Sequence, residues 1–259
     1  MLLTIDVGNT NVTLGVYDGT KLTASWRLAT NHQAMPDEYG ILIHDLLRHA
    51  GIAPENIEGI SLGSVVPILT SRLTEAAERF FKSPLLVVNW RLYSGLNLDV
   101  DEPHLLGADR IIDMVAVHEI YKCKALVLDF GTATTFDVLT EEGVYLGGAI
   151  APGIGIMSDA LSNKTASLPR VGIAVPSTVV GRNTVEQMQA GIVTGYVCMI
   201  EGMIKKYQKE IGRDLKVIAT GGLAEQIAKY TNTFDIVAPW LTLDGLRLLW
   251  DMNKDKLKK

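Results

Sequence analysis

The feature that most constrains the fold is a turn pattern that occurs twice in the chain. In the first copy an apolar run reaches Asp6-Val7-Gly8, passes through short polar residues and continues as a second apolar run. In the second copy Asp129-Phe130-Gly131 stands in the same setting, 123 residues (129 − 6) further on, close to half of the 259-residue chain. Self-similarity at this scale indicates a duplication and predicts two related domains. We place them at residues 1–116 and 117–259.

Each copy predicts a three-strand meander, because turn residues after the second apolar run lead into a third. Gly8 lets the backbone turn, and Asn9, Thr10 and Asn11 offer backbone N–H groups and short polar side chains to an anion. Asp6 fits beside a bound phosphate if a divalent cation joins the two. One copy alone would be explained as an ordinary hairpin turn. The second copy favours phosphate binding.

The segments that follow predict an α/β layer order. Helices are expected from Pro36 and from Pro67, and strands at residues 57–62 and 85–89. Residues 59–63 match the G-x-S-x-G pattern of hydrolase nucleophile elbows, which requires a helix to start at the serine. The next helix is expected only at Pro67, so we interpret Ser61 as a strand residue.

Composition and charge narrow the possible functions. A net charge of −5 gives no support to nucleic-acid binding, and the basic residues at 254–259 are interpreted as a solvated helix tail. No apolar run approaches the ~20 residues that span a bilayer, and no signal peptide is recognised. The distant Cys123 and Cys198 are predicted to be buried free thiols of a reducing compartment. We therefore expect a cytoplasmic protein without membrane or nucleic-acid partners.

Gly107-Ala108-Asp109-Arg110 is followed by apolar residues at helical spacing, which places it in a helix's first turn. Two interpretations stay open. An acid in a first turn stabilises the helix dipole without further purpose, and Arg110 can be a surface residue. Alternatively, the carboxylate accepts a proton while the neighbouring guanidinium holds an anion.

Two later junctions are also candidates. Residues 181–184 precede a long helix that reaches about residue 211, and Thr184 with Gln187 fits a capping box there. The apolar and small residues of this helix suggest a subunit or domain interface. Gly221-Gly222 follows a strand and would let a flat ring lie on bare backbone. The sequence contains neither a P-loop motif nor a Cys/His cluster with zinc spacing.

The paired turns with a late Gly-Gly junction resemble the actin, hexokinase and Hsp70 superfamily. More narrowly, residues 6–11, 107–110, 129–135, 181–184 and 241–246 resemble, in order, the motifs of type III pantothenate kinases. The resemblance implies an α/β fold of two duplicated actin-like (ribonuclease H-like) domains. Each would have a mixed sheet flanked by helices, with an ATP cleft between them. It also implies ATP-dependent phosphorylation of pantothenate to 4′-phosphopantothenate, the first step of coenzyme A biosynthesis.

The resemblance further implies ATP with Mg²⁺, a monovalent cation (K⁺ or NH₄⁺), and a homodimer with the active site near the subunit interface. Asp109 would take the hydroxyl proton, and Asp129 would hold the monovalent cation. Pantothenate would be bound by Gly107, Ala108, Asp109, Arg110 and, from the partner subunit, Thr184. ATP would be bound by Asp6, Val7, Gly8, Asn9, Thr10, Asn11, Val12, Thr13 and Thr132. One departure is Val100, where family members often have a tyrosine, so no contact by that tyrosine is expected.

Two other functions remain open at this point. A different kinase of the superfamily, acting on a sugar or a carboxylate, would keep both phosphate turns without needing residues 107–110. A regulatory accessory protein would bind nucleotide without turnover, although Asp109 and Arg110 count against it.

Overall fold

The computed structural model describes residues 1–257, which form two compact units. The first unit contains Met1–Lys122 together with the segment from Leu241 onward, and the second is Cys123–Trp240. The last helix therefore belongs to the first unit. The domain boundary that we placed at residue 116 from the sequence assigned this helix to the second domain. Of the basic tail, Lys258 and Lys259 lie outside the described residues.

The helices and strands that the sequence predicts occur in the predicted order, and the structure contains further ones between them. The strands are β1 (Leu2–Val7), β2 (Asn11–Asp18), β3 (Lys21–Ala29), β4 (Gly59–Ser64), β5 (Leu85–Val87), β6 (Asn97–Leu98), β7 (Ala125–Phe130), β8 (Ala133–Leu139), β9 (Val144–Pro152), β10 (Lys216–Thr220) and β11 (Ile236–Val237). The helices are α1 (Pro36–His49), α2 (Pro67–Phe80), α3 (Ala108–Ala116), α4 (Ile154–Lys164), α5 (Thr184–Gln189), α6 (Gly195–Ile211), α7 (Ala224–Ile227) and α8 (Leu241–Asn253). A π-helical turn, Ala190–Thr194, joins α5 to α6.

The first unit is built on a mixed sheet with the strand order β3-β2-β1-β4-β5, in which β1 runs antiparallel to β2 and parallel to β4. Successive side chains of a strand point to opposite faces. Leu3, Ile5 and Val7 accordingly pack into the core formed with α1 and α2, whereas Leu2 packs into the core formed with α3 and α8. Both faces of β1 are covered, which explains its nearly continuous apolar sequence.

The second unit repeats the arrangement. Its strands follow the order β11-β10-β7-β8-β9, with β7 antiparallel to β8 and parallel to β10. Leu126, Leu128 and Phe130 of β7 pack into a core with residues of α4, α6 and α7. The two predicted meanders are thus confirmed as β1-β2-β3 and β7-β8-β9.

Two local predictions have different outcomes. Ser61 is fully buried in β4 and its hydroxyl donates to the Leu246 carbonyl oxygen at 2.9 Å, so it is a strand residue as expected. The prediction of buried thiols is wrong: Cys198 is exposed on α6 and Cys123 is only partly covered, although both are free. The apolar neighbours of Cys198 in the sequence suggested burial, but Cys198 itself lies on the solvent-exposed face of α6. Within residues 1–257, no helix is long and apolar enough to cross a membrane.

Candidate active site

The turn between β1 and β2 is held by a hydrogen bond within the turn and by two from Thr30, the residue that follows β3. Gly8 N–H donates to the Asn11 carbonyl oxygen at 2.9 Å. The Thr30 hydroxyl donates to the Gly8 carbonyl oxygen at 2.7 Å, and Thr30 N–H donates to the Thr10 carbonyl oxygen at 2.9 Å. Asn9, Thr10 and Asn11 are exposed. The turn is therefore rigid on its inner side and presents polar residues to solvent, as an anion-binding turn requires.

Asp6 projects from the sheet face that α3 and α8 cover. It is half-buried and pairs in register with Thr13 on β2 and with Gly63 on β4. A Cβ added to Gly63 would meet the Ile112 side chain of α3. Because residues paired in register project to the same face, Asp6 and Thr13 point to the α3 side at the carboxyl end of β1.

Asp109 lies in the first turn of α3, as predicted. The helix begins at Ala108, after Gly107, and Asp109 Oδ1 accepts the N–H of Arg110 at 2.8 Å. The N–H groups and the helix dipole stabilise a negative charge at this end of a helix. Asp109 and Arg110 are both half-buried, so the carboxylate and the guanidinium stand where a substrate can reach them.

Val65 connects the start of α3 to the end of β1. Its N–H donates to the Val7 carbonyl oxygen at 3.1 Å, and its Cγ1 would lie 3.5 Å from a Cβ on Gly107. The carboxyl end of β1, the central strand of the first sheet, therefore brings three features together. These are Asp6, the Gly8 turn and residues 107–110. The sequence-predicted ATP turn and the first part of the predicted substrate motif are brought together within a single unit.

The turn of the second unit repeats the first. Gly131 N–H donates to the Ala133 carbonyl oxygen at 3.1 Å, two residues on, where Gly8 in the first turn donates to the carbonyl oxygen three residues on. Gly153 N–H donates to the Thr132 carbonyl oxygen at 3.2 Å. Thr132 itself is exposed at the tip of the turn, where a ligand can reach it.

Asp129 lies directly against the Gly-Gly junction that follows β10. Gly221 has φ +90°, and a Cβ there would collide with Asp129 Oδ1 and with the Phe130 backbone. Only glycine combines that conformation with so close an approach. The sequence suggested that this junction accommodates a flat ring, whereas its observed contact is with the Asp129 carboxylate.

The donor atoms suit the expected cations. A monovalent cation can be bound by one carboxylate together with neutral backbone and hydroxyl oxygens. Asp129 provides the carboxylate, and it pairs in register with two residues that carry hydroxyl groups, Thr135 and Thr220. Within residues 1–257 no group of three or more His, Cys, Asp or Glu could hold a metal by itself. Mg²⁺ in nucleotide sites needs only one or two carboxylates with phosphate oxygens, and Asp6 can supply one.

Tyr196 of α6 lies close enough to Asp129 for the charge of that carboxylate to affect its pKa. Its hydroxyl is hydrogen-bonded to that of Thr134. Burial raises the pKa of Tyr196 to about 12; the bond to Thr134 lowers it and the charge of Asp129 raises it further. Tyr196 is therefore neutral at physiological pH and acts as a packing and hydrogen-bonding residue.

Thr184 is the first residue of α5 and is exposed. The predicted capping box is wrong, because Asn183 is the capping residue: its side chain accepts the N–H of Glu186 at 3.0 Å. Asparagine and threonine are both good caps, so the sequence could not place the cap within one residue. The Thr184 hydroxyl is not needed for the cap.

Two residues were missed by the sequence. Thr30 fastens the first turn, but no local pattern connects it to Gly8. Asp113, on α3, is buried and accepts a hydrogen bond from Thr242. The sequence did contain a sign that Asp113 is unusual, because it is an acidic residue within an otherwise apolar helical segment.

Comparison with known proteins identifies the family. A family model described as type III pantothenate kinase matches residues 2–206. The chain belongs to the type III pantothenate kinase family. A family member from Roseiflexus castenholzii is 47% identical over 254 residues, which cover 98% of this chain and 100% of that protein.

Solved structures with the same fold are more distant. A Baf family protein from Campylobacter jejuni has a TM-score of 0.63 at 19% identity, covering 98% of this chain and 99% of that one. An inorganic polyphosphate/ATP-glucomannokinase from Arthrobacter sp. strain KM has a TM-score of 0.51 at 13% identity, covering 97% and 98%. At such identities the likeness concerns the fold alone. The predicted class of two actin-like domains, each with a mixed sheet and flanking helices, is confirmed.

Proposed function

We propose that this chain transfers the terminal phosphoryl group of ATP to pantothenate, forming 4′-phosphopantothenate in the first step of coenzyme A biosynthesis. Membership of the type III pantothenate kinase family makes it an ATP-dependent kinase that uses a divalent metal. The observation that carries the proposal is the meeting of Asp6, the Gly8 turn and the first turn of α3 at one sheet edge. A phosphate-binding turn beside a base is what phosphoryl transfer requires.

In this proposal the first unit binds ATP and activates the alcohol. Asp109 accepts the proton of the attacking hydroxyl while the new O–P bond forms and the bond to ADP breaks. Arg110 pairs with the pantothenate carboxylate, and Gly107 and Ala108 lie against the same substrate. Asp6 holds the divalent cation, which offsets the phosphate charge. The other ATP-binding residues of this unit are Val7, Gly8, Asn9, Thr10, Asn11, Val12 and Thr13.

The second unit contributes Thr132 to ATP and Asp129 to a potassium or ammonium ion. The repeated Asp-x-Gly turn between antiparallel strands and the exposed position of Thr132 support the first role. The approach of the Gly221 backbone to Asp129 supports the second, because it fixes the carboxylate. The proposal requires activity in potassium or ammonium salts, and equal rates in sodium alone would remove the role of Asp129.

We further propose a homodimer in which Thr184 reaches pantothenate bound to the partner subunit. Large exposed apolar side chains support an interface on the second unit: Ile150 is 66% exposed, Val179 69% and Val180 79%. A contiguous exposed apolar patch marks a protein contact, and Val179 and Val180 are consecutive in the chain. Val179 and Val180 precede Thr184 in the chain, so an interface here would place Thr184 near it. A cytoplasmic location is proposed from the two free cysteines.

A coupled assay of ADP release with pantothenate, several sugars and simple carboxylates separates the possible functions. The proposal expects ADP release that depends on pantothenate and disappears in Asp109→Asn. Release that depends on a sugar would indicate a different kinase of the superfamily. Binding of ATP with no turnover on any acceptor would indicate an accessory protein.

A further inference from the structure

A buried carboxylate, Asp113, lies in the apolar face of α3. Its exposed fraction is 3%, and its neighbours Ile112 and Met114 are buried as well. Removing a carboxylate from water disfavours folding unless its oxygens are hydrogen-bonded, and an apolar residue of the same size would often be at least as stable. The presence of Asp113 therefore needs an explanation other than packing.

One partner of Asp113 comes from the far end of the chain. Thr242, in the first turn of α8, donates its hydroxyl to Asp113 Oδ1 at 2.7 Å. Asp113 follows Asp109 by four residues, so the two carboxylates lie on the same side of α3, about one helical turn apart. A restraint at Asp113 consequently acts on the side of the helix that carries Asp109.

α8 is itself tied to the sheet that carries Asp6. The Ser61 hydroxyl of β4 donates to the Leu246 carbonyl oxygen at 2.9 Å, and the Tyr17 hydroxyl of β2 donates to the Asp244 carboxylate at 2.8 Å. β4 and β2 are the two strands that flank β1. Gly245 also packs on α3 so closely that a Cβ would collide with the Ile112 carbonyl oxygen.

We propose that Asp113 and Thr242 are positioning residues, whose hydrogen bond fixes the rotation of α3 and so holds Asp109 at the Gly8 turn. This inference rests on the proposed role of Asp109 as the base. The hydrogen bond adds a directional restraint to the close packing of α3 against Gly63 and Gly245. A rotation of about 20° displaces a side chain at a radius of about 5–6 Å by about 2 Å. Misplacement by about 1 Å can cost about 10²-fold in rate.

The first experiment compares three single variants. Thr242→Val replaces the hydroxyl with a methyl group, and Thr242→Ser restores the donor. Thr4→Val is the control, because it also removes a threonine hydroxyl that donates a hydrogen bond. Thr4 is fully buried and donates within the sheet, to the Gly15 carbonyl oxygen at 3.1 Å. Melting temperatures are measured for all three, and kinetics are recorded where each is folded.

We expect Thr242→Val to lower kcat by about 10–100-fold. Thr242→Ser and Thr4→Val should stay within about threefold of the wild type, since neither removes the donor to Asp113. The KM for ATP should change little in Thr242→Val, because Thr30 rather than α3 fastens the ATP turn. An equal loss of kcat in Thr242→Val and Thr4→Val overturns the inference.

A double-mutant cycle separates positioning from general weakening of the fold. In an Asp109→Asn background, Thr242→Val should cause no further loss of kcat, because the base it positions is already absent. The same fold-loss in both backgrounds overturns the inference while leaving the proposed function intact. If Asp109→Asn alone keeps its rate, the proposed base is wrong, and that result does not depend on Thr242.

Discussion

Asp109 combines a fixed orientation with a position beside a phosphate-binding turn. Its Oδ1 accepts the N–H of Arg110, and Gly107, two residues before it, lies near Val65, which follows β4. Two functions fit an acid in this position. Helix stabilisation alone would contribute about 0.3–1 kcal/mol to the free energy of folding and nothing to the rate. A general base would affect the rate by orders of magnitude, so one substitution separates the two.

For Asp109→Asn we expect a folded protein whose kcat falls by about 10²–10⁴-fold, because the amide cannot accept the proton. ADP release gives the rate, and thermal unfolding followed by circular dichroism gives the stability. Asp101→Asn, at an exposed acid shortly before α3, is the matched control and should retain full activity. Turnover close to the wild type in Asp109→Asn would leave Asp109 with only the helix-stabilising function.

Gly221→Ala should lower both the free energy of unfolding and the affinity for the monovalent cation. Its φ of +90° is unfavourable for alanine, and the added Cβ would push Asp129 out of place. We expect a loss of at least about 1 kcal/mol in unfolding free energy and a higher potassium concentration for half-maximal activity. Gly202→Ala, in α6 with open space around the Cβ, should leave the protein as stable or more stable. An unchanged potassium dependence in Gly221→Ala would contradict the proposed cation site.

At the scale of elements, the sequence predicted what local pattern and turn chemistry specify. Apolar runs on both sides of each Asp-x-Gly predicted both meanders, and Pro36 and Pro67 predicted the starts of α1 and α2. The return of α8 to the first unit was not predicted, because helical periodicity identifies an apolar face but not the surface that it covers. The same limit hid the Thr242–Asp113 contact, which joins residues 129 positions apart.

In each unit a buried tyrosine joins a helix to the sheet. Tyr196 of α6 bonds to Thr134 of β8, and Tyr17 of β2 donates to Asp244 of α8. Burial raises the pKa of Tyr196 to about 12 and also raises that of Tyr17, where Asp244 adds to the effect. Both pKa values exceed the value of about 10 for an unfolded chain. The two tyrosines therefore make their full contribution to the free energy of unfolding below about pH 10. For Tyr196 it is lost as the pH rises through about 12.

In an alkaline titration followed by absorbance at 295 nm, part of the signal of the eight tyrosines should therefore be delayed. Because their pKa values are raised, Tyr17 and Tyr196 should ionise only as the circular dichroism signal is lost. Tyr196→Phe should make the fall of stability between about pH 10 and pH 12 shallower. Ionisation of all eight near pH 10, with the fold intact, would contradict the buried hydrogen bonds.

For the whole molecule, the exposed apolar side chains of the second unit predict self-association. Val180→Asp should shift the protein from dimer to monomer in size-exclusion chromatography with light scattering, because a charge would be buried in the interface. Ile68→Asp is the matched control: Ile68 is 51% exposed, but on α2 of the first unit. It should leave the dimer intact. A wild-type protein that is monomeric at micromolar concentration would remove the interface.

Subunit mixing tests whether each active site draws on both chains. If Asp109 acts within its own subunit and Thr184 reaches the partner's substrate, a dimer of one Asp109→Asn chain and one Thr184→Val chain has both lesions at one site. Its other site is intact, because a two-fold dimer contains two equivalent sites. Random mixing makes about half of the dimers heterodimers, so two nearly inactive variants should together recover about a quarter of wild-type activity. If both residues served the same chain's site, every site would carry one lesion, and the mixture would stay as inactive as its parts.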